Sequence, residues 1–195
     1  MKIQSPPNAT PLDDETLRGL IPGLTTQAEL DEFEAAGIAR ATMWAVSSRI
    51  MKKDLLTVSG LCTLHKKMFE ETWQWAGQFR LKDTNIGVDP RRIQSDLQIL
   101  LGDVQYWIEN KTYQPQEIIA RFHHRLVWIH PFPNGNGRFS RLAADLLAAQ
   151  MQQAKFKWGS ENLGKKNSSR DQYISALQLA DREEMYQCLI EFMTG

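Results

Sequence analysis

Two apolar segments with helical spacing, joined by a corner dense in turn-formers, limit what this chain can fold into. In "QPQEIIARFHHRLVWI" the residues Ile119, Phe122, Leu126 and Ile129 step by three, four and three, which is the period of one helix face. In "RFSRLAADLL", Phe139, Ala143, Leu146 and Leu147 gather on one face at the same period. Between them stands "HPFPNGNG", residues 130–137, with one histidine, two prolines, two asparagines and two glycines. Its composition suits a loop that opens the second helix.

The rest of the chain follows the same helical habit. Residues 1–11 read as an extended arm, and "DDETLRGLIPGL" as a short helix stopped near Pro22 and Gly23. Thr25 or Thr26 would cap a long helical segment, "QAELDEFEAAGIARATMWAVSSRI", with a break expected at Gly37. A third helix is expected from near Ser59, and another at "SDLQILLGDVQYWIEN" with Ser95 as its cap. The end, "SRDQYISALQLADREEMYQCLIEFM", reads as two helices divided near Asp181. Only "WAGQFRLKDTNIGVDP" breaks the habit, and its Gly, Asp, Asn and Pro punctuation predicts a small hairpin or irregular flap. The fold class expected is all-α with a small β-hairpin flap.

Composition narrows the function classes. Lys+Arg and Asp+Glu both total 23, so the net charge is zero, which argues against a general nucleic-acid binder. The chain of 195 residues is long enough to bury a core without staples. Its two cysteines, Cys62 and Cys188, are read as small core residues in a reducing compartment. No stretch approaches the roughly 20 apolar residues of a membrane span. The opening "MKIQSPPNATPLDDE" is polar and unlike a secretory leader, so a cytoplasmic protein is expected and the Asn-x-Ser/Thr sites at Asn8, Asn110 and Asn167 are chance matches.

The corner carries chemistry as well as a turn. Gly135 and Gly137 let the backbone approach a ligand closely or take positive φ. N–H groups at a helix start lack intrahelical acceptors and carry partial positive charge, so the pair makes an anion site suited to phosphate. Arg138 and Arg141, three residues apart, share the side opposite the apolar face and suit a polyphosphate. Asp145, four residues after Arg141, would pair with it. His130, just ahead of the nest, is placed to accept a proton from an attacking hydroxyl.

"HPFPNGNGRFSR" resembles the signature loop of the Fic family, H-P-F-x-[DE]-G-N-G-R-x-x-R, at eleven of twelve positions. "WAGQFRLKDTNIGV" looks like that family's flap, and "YISALQLADREEMYQCLIEF" like its closing helices. The opening and the proline of "HPFPNGNGR" look like the subgroup called mobile mystery protein B. The resemblance implies a Fic-type helical domain over 55–195, with 1–54 forming an arm and helices that pack on its core. It implies a protein adenylyltransferase that moves AMP from ATP to a Ser, Thr or Tyr hydroxyl of a target protein. His130 would be the base. Gly135, Asn136 and Gly137 would form the anion hole for the α- and β-phosphates, and Arg138 and Arg141 would hold the β- and γ-phosphates. Phe132 would anchor the loop. The flap from Leu81 through Lys82, Asp83, Thr84, Asn85, Ile86 and Gly87 to Val88 would clamp the target segment by strand addition.

One position departs from the pattern. The acidic residue that helps hold Mg²⁺ is Asn134 here, a neutral ligand that would weaken metal binding. That leaves open a catalytically weakened protein that binds nucleotide and works through protein contacts, or the same fold with another nucleotide or phospho-donor. A lysine at position 137 would mark phosphate transfer, whereas Gly137 favours nucleotide transfer. The family's inhibitory [ST]-x-x-x-E-[GN] motif has no full match: Leu30 follows Thr25–Glu29, and Lys157 spoils "KWGSEN". Control by a separate protein, or none at all, is therefore expected, and the subgroup implies a helix-turn-helix companion.

Other polar clusters rank lower. His123 and His124 are neighbours on a helix and point about 100° apart, so they do not build a metal cluster with His130. His65 is expected to be packed or at the surface, and the tryptophans to fill the core. The basic run Lys155, Lys157, Lys165, Lys166 and Arg170 reads as a solvated loop. Tyr173 would border the adenine by analogy with the family.

Overall fold

The computed structural model of the protein describes residues 13–159 and 166–195. Its helices, in chain order, are α1 (Asp14–Arg18), α2 (Gln27–Ser47), α3 (Arg49–Asp54), α4 (Val58–Phe69), α5 (Ile93–Asn110), α6 (Pro115–Ile129), α7 (Asn136–Gln150), α8 (Lys166–Glu183) and α9 (Gln187–Thr194). Helices α6 and α7 form the central antiparallel pair. Helix α5 packs on α6, α4 touches both α5 and α7, α2 lies along α4, and α9 closes against α6. The residues that set the helical period are those that vanish from solvent: Ile119, Phe122, Leu126, Ile129, Phe139 and Ala143 are all fully buried.

Local signals explain most boundaries. Thr26 caps α2 with a complete capping box, its hydroxyl accepting from Glu29 N–H while the Glu29 carboxylate accepts from Thr26 N–H. Thr57 caps α4 by its hydroxyl alone, which accepts from Gly60 N–H. Gly37 does not break α2. It is buried, and a Cβ there would stand 2.7 Å from the Met68 carbonyl, so glycine serves the close approach of α2 to α4 rather than a turn. Helix α5 starts two residues before Ser95, whose hydroxyl donates back to the Arg92 carbonyl instead of capping. The division between the last two helices falls at residues 184–186, just past Asp181, where Glu184 has positive φ. The expected arm, residues 1–11, lies outside the described residues.

The expected hairpin is not seen. Residues 79–89 run without regular structure, with bends at 82 and 85–87, and among the described residues the sole β pairing is an isolated antiparallel bridge between Leu20 and Trp73. The carbonyls of Lys82 and Val88, which a ladder would pair with amides, accept instead from the Arg80 guanidinium. A side chain has taken the place of the second strand.

Candidate functional site

His130 ends α6 in a left-handed conformation, φ 53 and ψ 60, with its N–H returned to the Leu126 carbonyl. That conformation is uncommon for a residue with a Cβ and is held by its surroundings. The side chain is 6% exposed. Its Nδ1 lies 3.3 Å from the Val127 carbonyl, a contact that only an N–H can make, so the proton sits on Nδ1 and the lone pair on Nε2. Burial lowers its pKa to about 4, against a smaller upward pull from that carbonyl, with nearby Arg80 lowering it further. The imidazole is thus neutral at physiological pH, the state a general base needs.

The loop behind it is seated by aromatic stacking and by one amide. Phe132 is fully buried and stacks on His65 at 3.7 Å between ring centroids, with Phe139 edge-on at 5.0 Å. His65 Nδ1 accepts from Gly77 N–H, so its Nε2 donates to the Asn134 carbonyl at 3.1 Å. Burial drives the His65 pKa down to about 3, and the ring stays neutral. The Asn136 side chain turns inward: its Oδ1 accepts from Phe132 N–H at 2.9 Å and its Nδ2 donates to the Phe132 carbonyl at 2.7 Å. Only the backbone N–H of Asn136 therefore belongs to the anion nest, and its side chain is a staple.

Gly135 is the N-cap of α7 with φ 78, and a Cβ there would collide with the Phe69 ring at 2.6 Å. Two constraints, conformation and space, demand glycine at that position. The N–H groups of Asn136, Gly137 and Arg138 form the first turn and lack intrahelical acceptors. At Gly137 nothing among the described residues lies within 4 Å of where a Cβ would stand, which leaves room for a ligand against the backbone.

The two arginines meet different neighbours. Arg138 donates to buried Glu34 of α2 at 2.6 Å, and Glu34 also accepts from Trp73 Nε1 at 2.7 Å. Arg138 also reaches Asn134 Oδ1 at 3.3 Å and stacks over Phe69. Arg141 lies over the Tyr173 ring at 5.9 Å. The expected Arg141–Asp145 pair is replaced: Asp145 accepts from Trp158 Nε1 at 2.9 Å, because the chain after α7 folds back over it. The carboxylate is a sequence neighbour of the arginine it was assigned to, but a donor thirteen residues further along the chain captured it.

Asn134 does not present itself to a metal. Its Oδ1 already accepts from Gly135 N–H at 2.6 Å and from Arg138, and a cation there would face a guanidinium. Among the described residues no group of three or more His, Cys, Asp or Glu side chains is arranged to hold a metal ion. The residues present do not fit Mg²⁺ by themselves.

The flap packs against this corner. Leu81, Lys82, Asp83, Asn85, Ile86 and Gly87 are exposed, Thr84 is half-buried and Val88 is buried. Val88 N–H donates to the Ile129 carbonyl and Arg80 N–H to the Pro131 carbonyl. A groove of about 410 Å³ runs between α1 and the flap, its walls including Thr16, Trp75, Phe79, Leu81 and Pro133.

Sequence reasoning missed Glu34, Arg80 and the loop-holding role of His65. Glu34 and Arg80 look like ordinary surface charges in sequence, since their partners lie 104 and 50 residues away. The other histidines have structural partners: His123 with the Tyr173 hydroxyl at 3.0 Å, and His124 with Asp181 at 2.8 Å. Tyr173 thus sits beside Arg141 with its phenol pushed up to about 12 by burial. Trp128, expected in the core, is exposed under Arg125. Lys165 lies outside the described residues, as do Glu161 and Asn162. No helix among the described residues is long and apolar enough to cross a membrane.

Fold and corner together define a helical domain in which a left-handed histidine heads a glycine-opened helix start. The sequence profile of the Fic/DOC family matches residues 55–148. The chain is 29% identical over 123 residues to the protein adenylyltransferase Fic of Aedes aegypti, covering 60% of this chain and 25% of that protein. It thus spans about a quarter of the length of the curated relatives it matches. Its fold is similar to Fic-1 from C. elegans, with TM-score 0.68 at 20% identity over 90% of this chain and 50% of that one. It is also similar to the N-terminal Fic domain of a VirB-translocated Bep effector protein from Bartonella quintana with bound ADP. There the TM-score is 0.64 at 21% identity, over 88% of this chain and 86% of that one.

Proposed function

We propose that the chain is a protein adenylyltransferase that uses ATP to place AMP on a Ser, Thr or Tyr hydroxyl of a target protein. The observation that carries this reading is His130: a neutral ring whose proton is committed to Nδ1, heading a helix start with an open glycine backbone. In the proposed reaction Nε2 takes the hydroxyl proton as the oxygen attacks the α-phosphorus. The P–O bond to the β-phosphate breaks, and pyrophosphate leaves. The first-turn N–H groups of α7, with Arg138 and Arg141, would hold the phosphates, which is most of what phosphoryl chemistry asks of a protein. The Aedes relative is named for this activity, and the Bartonella domain binds ADP. No residue of the chain is assigned to Mg²⁺.

The flap from Leu81 to Val88 would receive the target segment. The mobile mystery protein B subgroup, a separate helix-turn-helix regulator, a cytoplasmic setting and a functional unit spanning 55–195 belong to the same proposal. Incubation with α-labelled ATP and lysate should mark discrete bands, and intact mass should show added AMP. His130→Ala should cut labelling by about 10²–10⁴-fold, the usual contribution of a general base. Undiminished labelling in that variant ends the proposal.

A second reading is favoured by the polar contacts of Asn134 and by the Glu34–Arg138 pair. In it, a weakened protein binds nucleotide and acts through protein contacts. It predicts ATP binding without transfer in the wild type, and transfer gained by Asn134→Asp.

A further inference from the structure

Arg80 grips both the corner and the flap with one side chain. Its guanidinium makes four contacts, all to backbone carbonyls, two on each side. Toward the corner, Nε donates to His130 at 2.7 Å and Nη2 to Ile129 at 3.4 Å. Toward the flap, Nη1 donates to Lys82 at 2.8 Å and Nη2 to Val88. The residue is only 4% exposed, so these carbonyls stand in for water around a buried charge. The planar fork of arginine fits such a divided task, whereas a lysine ammonium would have to choose among the acceptors.

Gly87 closes the arrangement from the far side. Its φ is 118, and a Cβ there would stand 2.6 Å from Arg80 Nη2 and 2.8 Å from His130 Cβ. The flap backbone therefore rests directly on both the guanidinium and the histidine. Nothing wider than a glycine fits.

We propose that Arg80 is a positioning residue that locks the flap and the His130 corner into one unit. A segment docked on the flap is then placed relative to the imidazole by this side chain, together with the Val88 N–H bond to the Ile129 carbonyl. The activity readout rests on the adenylyl-transfer reading above. Misplacement by an ångström costs on the order of 100-fold in rate when the reacting groups themselves are intact.

The test uses the full chain with Arg80→Gln, Arg80→Lys and Gly87→Ala. AMP transfer is measured with α-labelled ATP, and nucleotide affinity by titration with a fluorescent ATP analogue. Transfer should fall about 100-fold in each variant, while nucleotide affinity changes by less than about twofold, as for independent sites. Gly87→Ala matters because it disturbs the same joint with Arg80 intact, and it serves if Arg80→Gln does not fold. Wild-type transfer in the Arg80 variants, or nucleotide affinity lost in step with transfer, overturns the proposal. If the wild type transfers nothing, the adenylyl-transfer reading falls, and amide exchange decides the inference. Faster exchange at Val88 and His130 together in Arg80→Lys and Gly87→Ala supports the joint, and a change at one alone, or at neither, overturns it.

Discussion

The corner at 130–137 and the flap at 81–88 are built from overlapping turn-forming types and lie against each other, yet they are held in opposite ways. In the corner Phe132 is fully buried and Asn136 is 2% exposed, each with partners from the surrounding helices or within the loop. In the flap Leu81 is 90% exposed and Ile86 is 46% exposed. Turn-forming residues permit many conformations, and partners choose among them. The corner has Phe69, His65, Phe139 and its own Asn136 to choose for it; the flap has Arg80 and one backbone bond from Val88 to Ile129. This is the division expected of a site whose reacting groups stay fixed while the docking segment meets variable partners.

That contrast can be broken or sharpened by substitution. The largest effect is expected for Phe132→Ala, which removes a ring packed on His65 and Phe139 and should lower unfolding free energy by about 3–5 kcal/mol. Urea unfolding with an unchanged slope checks it. A cost under about 1 kcal/mol would show that the corner is not tightly seated.

Acid should come next. His65 and His123 titrate near 3 and His130 near 4 in the folded chain, all by burial, against about 6.5 when unfolded. Between those values the unfolded chain takes up protons that the folded one refuses. Stability from this source is therefore whole above pH 6.5 and declines as the pH falls toward 3. The flap has no histidine, so Leu81→Ser should leave that decline unchanged, while His65→Gln should flatten it. Melting temperatures across pH 7 to 4 are the measurement. The transfer reaction itself should hold its rate down to about pH 5 and fail near 4, as His130 gains its proton.

The smallest effect is expected at the flap surface. Leu81→Ser should change stability by no more than about 0.5 kcal/mol, as exposed substitutions do, yet reduce target labelling if the flap receives the target. A stability change above that bound would mean that the exposed flap is packed after all.

Much of this was legible before any coordinates. Helices α6 and α7 announce themselves because each must bury one face, and burial at a fixed period leaves a trace in the order of residues. A cap at Thr25 or Thr26 was legible because caps act within one turn, and the structure chose Thr26, whose box with Glu29 closes within four residues. What failed has particular causes. Asp145 was assigned to a sequence neighbour and is held by Trp158 instead, while Ser95 lies inside α5 and its hydroxyl turns back to the Arg92 carbonyl. The hairpin failed because Arg80 satisfied the carbonyls that a ladder would have used. Arg138 and Arg141 were read as a pair on one helix side, but Glu34 takes one guanidinium and Tyr173 lies under the other.

The order of residues alone settled that the chain is helical, and it pointed to one histidine-headed, glycine-rich turn as the candidate site. Short-range rules govern both, since caps, periods and glycine requirements are met within a few residues. Tertiary structure decided which nitrogen of His130 holds its proton, why the ring stays neutral, which carboxylate meets Arg138 and how the flap is tied down. Those depend on burial and on groups brought together from 50 and 104 positions away, and electrostatics in a folded interior are set by distance in space.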